Sequence, residues 1–431
     1  MNVLRHTDRD YATRKAALTT AAPLFDPQIE ERVRAIIQAV AERRDAALAE
    51  FTERFDGVKF EPGQWAVTQA ERMTAALTAD ETLRKAVAAT DRNVAAFARR
   101  SRRKNWSTRN AQGGCVGEKF DPFQRVGIYI PGGTAPLVST ALMTITLARV
   151  AGCPQIVVCT PPGKDGTVNP ALLYAATAAG ATEIYKVGGA QAIAALALGT
   201  ESIPRVQKIF GPGNAYVVAA KRMLVGHVAI DLLPGPSEVL ILADDSANPR
   251  FVAADLLAQA EHGSGHERVW LITPSARLLQ AVEREIKRQL PQLSRRALIE
   301  TALQNNGWLI QVRNLEEGIE LTNALAPEHL ELHVRQGQRV AEKIYTAGAI
   351  FIGPWSPTVL GDYVAGPSHT LPTGGAGASF PGLTVDMFQR RTSVVTYDRA
   401  SLKRSLPIVE AFARLEGLDA HGRSAAIRFR K

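Results

Sequence analysis

The sequence predicts an α/β protein built from two Rossmann-like parallel-sheet domains with small helical N- and C-terminal pieces. Between residues 126 and 236, short apolar runs rich in Val and Ile alternate with helical stretches, the spacing of right-handed βαβ units. A second block with the same alternation occupies residues 237–381. The chain is 431 residues long, too long for one simple core, so more than one domain is expected.

The first long element is a helix from about Pro27 to Phe55, with Val33, Ile36, Ile37, Val40, Leu48 and Phe51 at helical spacing and Gly57 as its stop. A second helical stretch covers Thr78 to Arg100. From 126 the expected order is strand Val126–Ile130, a Pro131-Gly132-Gly133 turn, and a helix from about Ser139 to Ala151. Strand Ile156–Cys159 and a helix opened by Asn169-Pro170 and closed by Gly180 come next. Strand Glu183–Val187, helix Ala190–Leu198, strand Lys208–Phe210, helix Ala215–Leu224 and strand Val228–Leu232 complete that block. In the second block, strand Glu238–Leu242 leads to a helix with Asn248 as N-cap and Pro249 at its first position, ended by Gly263. Strands Val269–Thr273, Trp308–Val312 and Ala349–Ile352 are interleaved with helices near Leu278–Gln289 and Leu315–Leu325. The expected organisation is a helical segment at 1–25 and a discontinuous α/β domain from 26–125 and 237–381. A second α/β domain at 126–236 carries the nucleotide-binding turns, and a charged helical tail fills 382–431.

Composition narrows the function classes. Hydrophobic content of 46% and charged content of 22% are those of an ordinary globular protein. No signal-peptide pattern opens the chain, and no apolar run reaches the ~20 residues of a membrane helix, so a cytoplasmic protein without a membrane partner is expected. Cys115, Cys153 and Cys159 are too few for a disulfide framework and lack metal-knuckle spacing. The net charge of +9 is spread along the chain, with one dense run, Arg99 to Lys104, at a helix end. No aromatic-and-basic recognition motif accompanies it, so no nucleic-acid partner is expected.

The most informative residues are Pro327-Glu328-His329-Leu330. Helical periodicity through Leu315, Ile319, Leu321 and Leu325 stops at Pro327, and Leu330, Leu332 and Val334 then alternate as in a strand. Neighbours on extended chain point to opposite faces, so Glu328 and His329 share one site only at an irregular strand entrance. A carboxylate and an imidazole at one point suit an enzyme that moves protons in more than one step. Glycine turns in the first block, Tyr129 to Gly133, Gly188-Gly189-Ala190-Gln191 and Gly211-Pro212-Gly213-Asn214, fall where strands give way to helices. There, backbone can approach a phosphate at a helix N-terminus. None completes G-x-G-x-x-G, and Tyr216 stands where the last glycine would be.

Six of the eight histidines fall between His262 and His421. Gln259 and His262, three apart, share a helix face near its end; Asp362 follows strand Ala349–Ile352, and His421 follows a helix ending near Glu416-Gly417. Two imidazoles, a carboxylate and an amide oxygen are a donor set compatible with zinc. His266, His333 and His369 are competing donors among which spacing does not choose.

Together, these segments resemble the histidinol dehydrogenase family. The resemblance rests on Tyr129 to Gly133, Gly188 to Ala195, Gly211 to Asn214, Gly235-Pro236-Ser237-Glu238-Val239, Gln259-Ala260-Glu261-His262, Pro327-Glu328-His329 and Gly361-Asp362-Tyr363. It spans residues from about 30 to 425. It implies a zinc-containing, NAD-dependent enzyme that oxidises L-histidinol to L-histidine through the aldehyde in two hydride transfers, the last step of histidine biosynthesis. By resemblance Gln259, His262, Asp362 and His421 hold one zinc ion per subunit, and the zinc holds the substrate. Tyr129, Gln191 and Asn214 contact NAD, and Ser237, His369 and Glu416 position substrate. His329 takes the alcohol proton, and Glu328 activates water against the aldehyde. The resemblance also implies an intertwined homodimer whose tails complete the partner's site. One local departure is Gly263-Ser264-Gly265-His266, where the family usually has a short acidic or proline-containing turn.

Other readings of the residues are a zinc hydrolase, a thiol-dependent aldehyde dehydrogenase using Cys153 or Cys159, a basic RNA-binding module, and a paralogous NAD-dependent dehydrogenase of another small diol or amino alcohol.

Overall fold

The computed structural model describes residues 1–19, 26–61, 63–132 and 136–430. Gly133, part of the expected N-terminal segment (20–25) and Lys431 lie outside the described residues. The strands are β1 (Asn2–Arg5), β2 (Trp106–Arg109), β3 (Cys115–Pro122), β4 (Arg125–Tyr129), β5 (Gln155–Thr160), β6 (Glu183–Lys186), β7 (Lys208–Phe210) and β8 (Ala229–Ile230). They continue with β9 (Glu238–Ala243), β10 (Arg268–Thr273), β11 (Gly307–Gln311), β12 (His329–His333), β13 (Ala349–Ile352) and β14 (Gln389–Thr396).

Two parallel sheets form the body of the molecule, as the alternation predicts. One has five strands in the order β6-β5-β4-β7-β8, the other six in the order β1-β11-β10-β9-β12-β13. Helix starts follow the chemistry read from sequence. Asn169 Oδ1 accepts from the backbone N–H groups of Ala171 and Leu172 with Pro170 at the first turn, and Asn248 caps the helix Pro249–Ala260 in the same way.

Three expectations are corrected. The long first helix is two, Pro27–Arg43 and Asp45–Asp56, because Arg44 takes a positive φ of 47° and breaks the hydrogen-bond ladder. The second stretch is a single helix, Glu81–Ser101, close to the expected Thr78–Arg100, and a further helix, Gln69–Thr78, precedes it; each is opened by its own side-chain cap. The N-terminal piece begins with β1, whose Leu4 is fully buried at the edge of the six-stranded sheet. The tail is not helical from its start: β14 pairs antiparallel with β3, and β3 with β2, in a third sheet. Only then come helices Arg399–Leu415 and Asp419–Ala426.

The packing of residues 27–101 also differs from the expected grouping with 237–381. Val33, Ile36, Val40, Leu48 and Phe51 pack against Val157, Ile193 and Ile209 on one face of the five-stranded sheet. Val87, Val94 and Ala98 pack on its other face against Ile145 and Leu172. Helical periodicity identifies a buried stripe but not the sheet that buries it.

A buried ion pair fixes the loop after β7. The Lys221 ammonium contacts the Asp231 carboxylate with both side chains fully buried, and donates to the carbonyls of Gly211 (3.0 Å) and Leu232 (2.7 Å). Asp231 Oδ2 accepts from the Gly211 N–H at 2.7 Å. This network holds the Gly211-Pro212-Gly213-Asn214 turn in place. Lys221→Met would strand the Asp231 carboxylate, and it is expected to cost about 3–5 kcal/mol of stability, read as a lower urea midpoint with an unchanged m-value. A midpoint within error of the parent protein would show that the pair does not hold this turn.

Candidate active site

Glu328 and His329 stand at the entrance of β12, beside the start of β9, and the irregular entrance expected there is present: Ala326 takes a left-handed φ of 46°. Both side chains are buried, and Glu238, the first residue of β9, clasps them. Its N–H donates to Glu328 Oε2 at 2.8 Å, and its carbonyl accepts from His329 Nδ1 at 3.0 Å. The Glu238 carboxylate in turn accepts from the Glu328 N–H at 3.4 Å and the Gly374 N–H at 2.9 Å. Glu328 Oε2 thereby comes within 3.5 Å of His329 Nδ1.

This geometry fixes the imidazole tautomer. A carbonyl only accepts, so His329 Nδ1 carries a hydrogen, and Nε2 is the atom left to exchange a proton. Nε2 has no hydrogen-bond partner and lies 4.0 Å from Asp362 Oδ1. Burial alone would lower the His329 pKa, but Glu328 beside it, with Asp362 and the Glu238 carbonyl, pushes it up to about 9. Burial, opposed by the Gly374 N–H and reinforced by the Glu328 charge, pushes Glu238 up to about 7.

Gln259 ends the helix Pro249–Ala260 with its side chain buried and its amide nitrogen without a partner. His262 follows one turn later, exposed, with Nδ1 donating to the Gln259 carbonyl at 3.0 Å. That bond directs the lone pair to Nε2, the arrangement a metal-ligating histidine needs. Asp362 lies in a short helix, Val359–Tyr363, rather than on an open loop. That helix turns back from the far end of β13, so Asp362 reaches the amino edge of the sheet beside His329 instead of the carboxyl edge. His369 Nδ1 donates to the Asp362 carbonyl at 3.1 Å, and its Nε2 faces the Thr140 hydroxyl at 3.2 Å. Burial lowers the His369 pKa despite the nearby Asp362 carboxylate, so the ring is neutral and Nε2 accepts from Thr140. Ser237 is half-buried beside Glu238. Asp362, His369 and Glu328-His329 are therefore brought together, with Gln259 and His262 at the end of a helix on the same sheet.

Glu416 and His421 are not brought to this site within the chain. They lie exposed on the two tail helices, which pack on each other. No hydrogen bond or ion pair joins either residue to Gln259, His262 or Asp362 among the described residues. Phe412, Leu415, Leu418 and Ile427 leave apolar surface exposed along the same tail.

A second set of possible metal donors, Asp255, Glu331 and His333, clusters deeper along the same helix and strand. Its donors are already committed to each other. Glu331 Oε1 accepts from the Thr358 N–H (2.7 Å) and hydroxyl (2.6 Å), and Oε2 accepts from His333 Nε2 (3.1 Å). Burial and the Glu331 charge raise the Asp255 pKa far above the carboxylate range. A carboxyl that keeps its proton is a poor metal ligand. The cluster reads as a tie between the helix bearing Gln259, the strand bearing His329 and the segment leading to Asp362.

Opposite lies the carboxyl edge of the five-stranded sheet and a cleft of about 1280 Å³ lined by Tyr129, Gly132, Gly189, Gln191, Asn214 and Tyr216. Gly211 has a φ of 110°, and a Cβ there would stand 2.1 Å from the Tyr129 carbonyl oxygen, so only glycine fits. Tyr129 and Gln191 are nearly enclosed; the Tyr129 hydroxyl accepts from the Gly189 N–H at 3.1 Å, and Gln191 Oε1 has no partner. Asn214 caps the following helix, its Oδ1 accepting from Tyr216 and Val217, which leaves the amide NH₂ for a ligand.

Sequence reasoning missed Glu238, Thr140 and the Lys221–Asp231 pair. An acid opening an apolar strand, as in Glu238-Val239-Leu240, was the one available signal for Glu238. The thiol reading loses support: burial raises the pKa of Cys159 well beyond its usual range and pushes Cys153 up to about 12. The Arg99–Lys104 run is exposed at a helix end, and no described helix is long and apolar enough to cross a membrane.

A buried acid–base pair on one parallel sheet, with a cleft of glycine turns on the other, is the arrangement of an α/β oxidoreductase. The family model for histidinol dehydrogenase matches residues 21–429. Histidinol dehydrogenases from Geobacillus kaustophilus and a Synechococcus strain are 46% and 47% identical, each over 93% of this chain and over 95% and 92% of their own lengths. The crystal structure of histidinol dehydrogenase from Elizabethkingia anophelis aligns with a TM-score of 0.94 at 35% identity, covering 100% of this chain and 98% of that one. The chain belongs to the histidinol dehydrogenase family.

Proposed function

We propose that the protein oxidises L-histidinol to L-histidine in two successive two-electron steps, with NAD as hydride acceptor and zinc as the ion that orients the substrate. The observation that carries this reading is the Glu328–His329 pair with His329 Nε2 unpartnered beside Asp362. In the first step His329 Nε2 takes the alcohol proton as hydride leaves the carbinol carbon. In the second, Glu328 takes a proton from the water that adds to the aldehyde, and hydride leaves the resulting hydrate to give the carboxylic acid, which loses its remaining proton to solvent as the carboxylate.

The buried Gln259 side chain, whose Oε1 would be the ligand atom, and the tautomer fixed at His262 fit a zinc ion held by Gln259, His262, Asp362 and His421, whose chemistry would be to bind and orient the amino alcohol. After Glu328, Asp362 helps keep the proton on His329, so committing Asp362 to a cation would lower the imidazole pKa toward that of a working base. Ser237, His369 and Glu416 would position the substrate. Tyr129, Gln191 and Asn214 would contact NAD along the turns, where backbone N–H groups suit a pyrophosphate. The exposed tail carrying Glu416 and His421, with apolar surface on the same helices, supports a homodimer in which each tail completes the partner's metal set.

His329→Ala and Glu328→Gln are expected to damage different half-reactions, each by about 10²–10⁴-fold. With histidinal supplied directly, His329→Ala should recover most of its turnover and Glu328→Gln should not. Glu328→Gln oxidising histidinal at the parent rate would remove Glu328 from the water step.

Mixing inactive His421→Ala and Asp362→Ala chains under conditions of subunit exchange should restore activity to at most about half, by the symmetry of a two-fold dimer. No recovery despite demonstrated exchange would mean that His421 serves its own subunit or binds no metal.

A further inference from the structure

One acidic side chain in the cleft has no role in the account above. Asp56 is the last residue of the helix Asp45–Asp56 and lines the cleft together with Tyr129, Gly189 and Asn214. Its placement is unfavourable for the fold on three counts. A carboxylate at a helix C-terminus meets the negative end of the dipole. Among the described residues no cation lies within ion-pair distance of it. Its Oδ2 is enclosed without a hydrogen-bond partner. Burial accordingly raises the carboxyl to about 6, which still leaves it mainly ionised at pH 7. Uncompensated costs of this kind mark positions kept for a ligand.

The chemistry of that ligand follows from where Asp56 stands. The helix after β4 carries Thr140, which meets His369 of the candidate active site, and this helix packs on one face of the five-stranded sheet. The helix ending in Asp56 packs on the opposite face, with Val157, Ile193 and Ile209. A dinucleotide whose nicotinamide reaches His329, and whose pyrophosphate crosses the Gly189 and Asn214 turns, has its adenosine end on the Asp56 side. A carboxylate with free acceptor capacity there suits a vicinal diol, and rotation about χ2 lets either oxygen take the bond. Two arginines also line this part of the cleft. Arg32 is exposed and donates to the Tyr216 hydroxyl at 3.0 Å, and exposed Arg54 lies over the Phe55 ring.

We propose that Asp56 accepts hydrogen bonds from the 2′- and 3′-hydroxyls of the cofactor's adenosine ribose and makes the enzyme select NAD over NADP. This rests on the reading of the cleft as the NAD site. A 2′-phosphate would bring a second negative charge against the carboxylate and remove one of its donors.

The test is calorimetric titration of NAD and NADP into the zinc-loaded full-length enzyme, its Asp56→Ala variant and the milder Asp56→Asn. The parent is expected to prefer NAD. Asp56→Ala should lose about 10- to 100-fold in NAD affinity, the weight of hydrogen bonds to a charged group, with little change for NADP, so that the preference collapses. Asp56→Asn should lose most of the discrimination while keeping part of the NAD affinity, and it keeps the test alive if the alanine variant does not fold. NAD binding within twofold of the parent in the variants, an equal loss for both cofactors, or a parent that binds NADP as tightly as NAD would each overturn the proposal. A parent that binds neither cofactor, while Asp56→Ala retains its zinc, would instead remove the cleft as the NAD site.

Discussion

The start of β9 against the start of β12 is the contact on which the site depends. Strand geometry sends the side chains of Glu328 and His329 apart, and the Glu238 clasp brings them back together. Its N–H holds the carboxylate, its carbonyl sets the imidazole tautomer, and its own carboxylate is tied to the Glu328 and Gly374 N–H groups. Because β9 and β12 are neighbours in a parallel sheet, this register is set by the body of the protein rather than by a loop. A site built on a strand start is held to the tolerance that acid–base chemistry needs.

The same contact decides which edges of the two sheets work. Nucleotide-type turns gather at the carboxyl edge of the five-stranded sheet, as in open α/β folds generally. The acid–base pair and three of the proposed metal donors, Gln259, His262 and Asp362, lie toward the amino edge of the six-stranded sheet instead. Gln259 and His262 arrive there because a helix following a parallel strand runs back to the strand's start. Asp362 arrives by the return path whose Thr358 is pinned to Glu331. The Thr140–His369 contact joins the two edges, and a substrate between them can face both the base and the hydride acceptor.

Much of this was legible in the sequence, because the signals are local. Pro327 ends one helix, alternation at Leu330 and Leu332 starts a strand, and the residues between them are the proposed catalytic pair. Asn-Pro and Gly punctuation placed the helices at Asn169 and Asn248 to within a residue or two. What stayed hidden is non-local. Periodicity cannot say that Val33 and Val94 face the five-stranded sheet, nor that Gln389–Thr396 returns across a long stretch of chain to pair with Cys115–Pro122. Glu238 looked like one more polar residue at a strand end, since its function lies in backbone bonds to a strand distant in sequence. The polar tie of Asp255, Glu331 and His333 was visible only as a competing histidine.

The stoichiometry of a single substrate is the most direct measure of the central claim, that one acid–base pair serves two oxidations at one site. With limiting histidinol, excess NAD and the zinc-loaded enzyme, the account predicts two NADH formed per histidinol consumed, with histidine as product and no free aldehyde trapped by semicarbazide. One NADH per histidinol, with the aldehyde released into solution, would contradict it.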